Sequence, residues 1–301
     1  MKKIKFASKA KVQREEKIVK GTLLALGIIS ILITVGIVMS LIGETLSFFK
    51  EVSLVEFLTG TKWTPLFNDA HFGVLPLVAG TLLIVIFASL IAIPIGLGAA
   101  IYLSEYAKAS VRKVIKPILE ILAGIPSIVY GYFAVTTITP MLKSILPDIS
   151  VFNALSAGIA VGIMIIPMVS SLSEDAMMAV PDSLRQGAYG IGSTKFEVAT
   201  KIVLPASISS VAASFILAIS RAIGETMIVA MAAGSTPKLT LNPLESIQTM
   251  TGFIAQVSMG DVPYGSLSHK TLYAVGTLLF IITLILNIIS KKVVKKYRRA
   301  L

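Results

Sequence analysis

The sequence predicts an all-α, polytopic membrane protein with six transmembrane helices, and three observations predict it. Hydrophobic residues make up 55% of the 301-residue chain and charged residues only 14%, whereas a soluble domain carries about 25% charged residues. Mean hydropathy is +0.86. Six runs free or almost free of charge recur along the chain, each long enough for the ~20 helical residues that cross a bilayer. Helices are expected there because an isolated strand cannot satisfy its backbone groups in lipid.

The runs follow in order. A basic segment, 1–20, precedes Gly21–Gly43. With no small-residue cleavage site after it, this run reads as a retained first span and not as a removed signal. The connector 44–71 contains Trp63, placed to anchor at the membrane interface. Phe72–Ser104 holds Pro76 and Pro94, and Ile121–Leu142 holds Pro126 and Pro140; each proline predicts a kink or a shifted helix end. Ile149–Ser173 is the fourth run. The fifth, Ile202–Pro237, is interrupted only by Arg221 and Glu225, and Thr271–Ser290 leads into the basic tail 291–301. The transmembrane domain proper is thus 72–290. Within the connector 238–270, Ile247, Met250 and Ile254 recur at helical spacing, predicting a short helix that packs on the outer end of the bundle or receives a partner there.

Charge sets the orientation. The head, the second and fourth connectors and the tail hold 21 of the 27 basic residues. Both termini are therefore expected on the cytoplasmic side of the cell membrane. The net charge of +11 is then topological, and no nucleic-acid partner is expected. Cysteine is absent and histidine is limited to His71 and His269, so neither a disulfide nor a metal centre is expected. At the inner surface Lys116 and Glu120 stand four apart and can pair, while Glu174 and Asp175 can pair with Arg185 or meet a partner.

The fourth connector, 174–205, reads as a helix beginning at Pro181, a glycine-bearing turn, and a returning helix capped by Ser193 or Thr194. Phe196, Ala199, Ile202 and Val203 can share one face of that second helix, which Pro205 is expected to end. Small residues in the turn leave room for a partner's cleft, so the hairpin suits docking.

The stretch "RQGAYGIG", followed nine residues later by "IVLP", resembles the coupling loop of ABC-importer permease subunits. There a Glu-Ala-Ala triplet precedes a glycine, and Ile-x-Leu-Pro closes the segment. By position Gln186 stands at the Glu place, Gly187 and Ala188 at the Ala places, and Gly192 at the glycine. Ile202, Leu204 and Pro205 stand at the closing places. Gln for Glu removes a charge, so no salt bridge from that place is expected. "FGVLPLVAGTLL", "GLGAAIYLSEYA", "AGIPSIVYGYFA", "GIMIIPMVSSLSEDAM", "SRAIGETMIVAMAAG" and "QTMTGFIAQVSMGD" together resemble the phosphate-specific permease subunits of the PstC family. That similarity runs from about Gly73 to the end of the last span.

The resemblance implies the type I importer permease (MetI-like) fold. It also implies pairing with a homologous PstA-like permease subunit, two PstB-like ATPase subunits and an extracytoplasmic PstS-like phosphate-binding protein. No G-x-x-x-x-G-K-[ST] occurs, and "GIGSTK" lacks its spacing. ATP hydrolysis therefore belongs to another chain, and no cofactor is expected on this one.

Arg221 and Glu225 are the candidate pathway residues. Four apart on a helix, they can neutralise each other, and intramembrane charges usually mark a route or a bundle interior. A guanidinium offers a fork of donors matched to phosphate oxygens, with Glu225 holding it when the anion is absent. Ser220 and Thr226 can bond the anion or back-bond to their own helix. A permease for another oxyanion, such as sulfate or molybdate, and an ion-coupled secondary carrier are the competing readings.

Overall fold

The computed structural model describes residues 9–297. The expected cytoplasmic residues Lys2, Lys3, Lys5, Arg298 and Arg299 lie outside them. Helices dominate the described residues, and the one β-feature there is an isolated bridge between Trp63 and Phe72. The helices are α1 (Lys9–Phe48), α2 (Leu54–Thr59), α3 (Leu75–Ile101), α4 (Ala109–Ala123), α5 (Ser127–Phe133), α6 (Thr139–Lys143), α7 (Ala154–Met178), α8 (Asp182–Gly190), α9 (Lys195–Glu197), α10 (Leu204–Ile223), α11 (Met227–Ala232), α12 (Met250–Met259) and α13 (Leu267–Tyr297). Three π turns, Tyr102–Tyr106, Ala134–Ile138 and Val198–Val203, interrupt the ladder.

Five apolar helical segments are long enough to span, and a bent pair supplies a sixth when it is counted as one span. The expected third span does not begin at Ile121. Gly124-Ile125-Pro126 separates α4 from α5, with an 85° bend between Ala109–Ala123 and Ser127–Lys143. Proline removes the backbone donor and disfavours a helical residue before it, so Pro126 sets the break and Ile121–Ala123 finishes the preceding helix.

Prolines act differently where a π turn precedes them. A proline ring clashes with the carbonyl four residues back. For Pro140 and Pro205 those residues are Thr136 and Lys201, and both lie inside π turns, whose wider ladder relieves the clash. The expected helix end at Pro205 is thereby overturned. The path from α9 through the π turn into α10 is one helical segment, Lys195–Ile223.

At the centre α3 and α7 run parallel. A Cβ on Gly158 would meet the Phe87 Cβ at 2.7 Å, and one on Gly162 would meet the Ala88 carbonyl oxygen at 3.0 Å. Small residues thus let the two backbones close, the usual means of helix association in lipid. α10 runs antiparallel to α7, tied by a 2.8 Å bond between the Ser173 and Ser214 hydroxyls. α1 lies outermost. Its apolar span is exposed, and it joins α13 through a 2.7 Å bond between Thr45 and Thr277.

One end of the bundle is capped by an aromatic cluster of Phe48, Phe57, Trp63, Phe72 and Phe253. Trp63 is only 1% exposed and meets Phe253 of α12 edge-on at 4.9 Å. It is the centre of the cap and not an interfacial anchor. The predicted outer helix is α12, capped by Thr249. It packs on the bundle, because the Met250 N–H donates to Thr81 Oγ1 of α3 at 3.0 Å and the Gln248 carbonyl sits against Gly80. The α8–α9 hairpin marks the opposite end.

Candidate functional site

Arg221 and Glu225 do not share a helix. α10 stops at Ile223, and Gly224, Glu225 and Thr226 form a break before α11. Among the described residues there is no ion pair between them, which overturns the expected neutralisation. The cause lies in the break itself. The first N–H groups of α11 have no partner in their own helix, and a carboxylate is favoured at a helix N-terminus. Glu225 Oε1 accepts from the backbone N–H groups of Met227 at 3.0 Å and Ile228 at 3.2 Å. The Glu225 carbonyl accepts from the Thr251 hydroxyl of α12 at 2.6 Å. Glu225 is buried, while Arg221, in the last turn of α10, is exposed.

Depth matters for an exposed guanidinium. The Ser173–Ser214 bond fixes α10 near the hairpin end of α7. The Asn153 N–H, donating to the Ala232 carbonyl at 2.9 Å, fixes α11 at the capped end. The break lies between these two points, so Arg221 stands well inside the bundle's length. Thr226 bonds its own backbone at the Gly224 carbonyl. Among the described residues the buried Ser220 hydroxyl has no partner.

At the hairpin end, Gln186, Gly187 and Gly192 are exposed and Ala188 is buried. Ile202 and Leu204 are half-buried and Pro205 is exposed. Gly192 has φ +89°, a left-handed conformation that glycine adopts without a Cβ penalty. Of the two candidate caps Thr194 is used, in a reciprocal capping box with Glu197. α8 starts without a side-chain cap. The expected shared face divides: Ala199 and Val203 are buried and Ile202 is half-buried, whereas Phe196 is 67% exposed. The π turn shifts the register between them.

Two ion clusters at this end could not be paired from sequence. Glu174, with a side chain 0% exposed, is bridged by Arg112 and by Lys116. Lys116 also holds Asp175 at 2.6 Å, so it does not pair with Glu120. Arg185 takes Glu105 at 3.1 Å rather than Glu174 or Asp175. Charges bordering apolar runs were the only sequence signal, and they name no partner.

Residues 92–299 match the family described as binding-protein-dependent transport system inner membrane component. The chain is 34% identical over 262 residues to the probable ABC transporter permease protein YqgH of Bacillus subtilis (strain 168), covering 87% of this chain and 84% of that protein. It is 34% identical over 254 residues to the phosphate transport system permease protein PstC of Mesorhizobium japonicum, covering 78% and 76%. The PstC of Haemophilus influenzae is 28% identical over 303 residues and matches over 94% of each chain. Among solved structures, a bacterial ABC transporter involved in the import of alginate aligns with TM-score 0.66 at 15% identity, over 96% of this chain and 99% of that one. An inward-facing MetNI methionine ABC transporter aligns with TM-score 0.55 at 17% identity, over 75% and 94%. At such identities the structural likeness shows the fold alone. With more than half of its length matched, the chain belongs to the binding-protein-dependent transport system inner membrane component family, a multi-pass membrane permease subunit of an ABC importer.

Proposed function

We propose that this permease subunit carries inorganic phosphate, with Arg221 on the translocation route and the Gln186–Gly192 hairpin docked on a separate ATPase. One observation supports the route most strongly. A guanidinium stands exposed well inside the bundle's length beside a helix break. Against hydrocarbon a central arginine costs ~2.5–3.5 kcal/mol on insertion scales. That face is therefore covered in the assembly by a second permease subunit and an aqueous path. The break supplies non-helical backbone at depth, which membranes tolerate only where protein or water covers it.

The similarity to phosphate permeases supports phosphate as the anion. Arginine's fork matches phosphate oxygens bidentately, and lysine's point charge does so less well. Glu225 no longer serves as the resting counter-ion; it fixes the start of α11, so Arg221 meets the anion unpaired. The partners are a homologous permease subunit, two ATPase subunits and an extracytoplasmic phosphate-binding protein, with the hairpin end cytoplasmic.

Uptake of labelled phosphate by the assembled complex tests this reading, with sulfate and molybdate as competitors. Arg221→Ala should abolish uptake, Arg221→Lys should leave a minor fraction, and neither competitor should displace phosphate. Normal uptake in both variants rejects the route. Uptake by the isolated chain in liposomes, without an ATPase, would favour a secondary carrier instead.

A further inference from the structure

We propose that the Arg185 guanidinium is a positioning residue through which the hairpin drives α3, an inference that rests on the docking role given above. Three elements meet at this one side chain. Nε and Nη2 fork onto the Glu105 carboxylate at 3.1–3.4 Å. Nη2 also donates to the Met177 carbonyl at 2.8 Å, and Nη1 donates to the Val180 carbonyl at 2.6 Å and to Asp182 at 3.1 Å. Arg185 belongs to α8, Met177 to the last turn of α7, and Glu105 to the Tyr102–Tyr106 π turn that ends α3. The pair is shielded, with side chains 13% and 4% exposed.

The far limb of the hairpin holds the same turn. Lys195, at the start of α9, stands 6.0 Å from the centre of the Tyr106 ring, within cation–π range. Ser104 of the turn meets the Met177 sulfur at 3.4 Å. Both limbs of the hairpin thus close on one five-residue segment. Its widened ladder is a place where a helix can shift without unwinding. A push on the exposed face of α8 moves the guanidinium, and the fork moves the end of α3 with it. From there α3 carries the load to α7, where Gly96 lies against Val169.

The chemistry demands arginine. Its planar fork serves a carboxylate and two carbonyls at once, whereas lysine offers a point charge on a flexible stem. Removing the guanidinium outright strands a buried carboxylate, so Arg185→Ala risks misfolding. Arg185→Lys and Glu105→Gln are the informative variants, because each keeps one partner's shape.

The experiment uses the full complex in proteoliposomes, with inorganic phosphate as cargo, and reads ATPase co-purification, ATP hydrolysis and phosphate moved per ATP. Arg185→Lys and Glu105→Gln should retain the ATPase and hydrolyse ATP. Phosphate per ATP should fall by roughly fivefold or more, the lower bound of typical site-to-site coupling. The double variant should be no worse than the poorer single, as expected of one shared contact. An unchanged ratio in both variants overturns the joint. So does a loss of hydrolysis and uptake in step with lost assembly, which marks a purely structural contact. Absence of ATP-driven phosphate uptake in the unmodified complex overturns the underlying functional reading instead.

Discussion

Glu225 illustrates how much one side chain's role depends on the backbone beneath it. Its carboxylate closes two donors at the start of α11, so the group acts through oxygen acceptors and not through its charge alone. Glu225→Gln keeps an acceptor in place and should retain most phosphate uptake. Glu225→Ala leaves the donors open and should cost about 1 kcal/mol, the usual value of a lost N-cap, with uptake falling as Arg221 loses its setting. Thermal unfolding of the purified variants, run beside transport, separates the two. Equal loss in Gln and Ala variants would restore a counter-ion role. The sequence could not foresee this arrangement. Arg221 and Glu225 stand four apart, and only the break at Gly224, which spacing does not reveal, divides them between two helix ends.

The elements at the two ends of the bundle make different demands on solvent and partners. A Cβ on Gly187 or Gly192 meets nothing within 4 Å in this chain. Side chains there are accommodated locally, apart from the strain of about 1–2 kcal/mol that a left-handed residue carries at Gly192. Gly187→Glu with Gly192→Glu should therefore leave membrane insertion intact and abolish co-purification of the ATPase; undiminished co-purification would remove the docking assignment. In the loop before α12, Lys238 and Asn242 hydrogen-bond Glu245, Lys238 chiefly, and hold its carboxyl below the ordinary glutamate value. A depressed value means the clasp is complete above the ordinary glutamate range and is lost as pH falls through and below it. Amide protection factors in 238–245, each taken relative to the intrinsic exchange rate at the same pH, should fall on such acidification while those of Met250–Met259 stay high. Constant protection across that range would reject the clasp. Thr194, as one of two candidate caps, and the helix around Met250 were legible because capping and periodicity are local; the answering Glu197 was not read. The bend at Pro126 was legible only as a kink of unknown size, and the bypass at Pro205 was not, since π turns leave no residue signature.

Across the whole molecule, the antiparallel seating of α1 on α13 brings Lys9 and Tyr297, the limits of the described residues, to the hairpin end of the bundle. Tags on either terminus should be cleaved by protease added from the cytoplasmic face and spared from the other; opposite accessibility would invert the orientation. The six runs and the basic asymmetry were readable because lipid imposes them one segment at a time. Trp63 was misjudged as an anchor because its burial depends on Phe57 and Phe253, from connectors far apart in the chain. That burial makes the protein optically convenient. Trp63 is the chain's single tryptophan, so its ultraviolet emission is a beacon confined to one pole. A soluble receptor settling on that pole should alter the emission wavelength or quenching, whereas nucleotide events at the far pole reach it only by travelling the full height of the bundle.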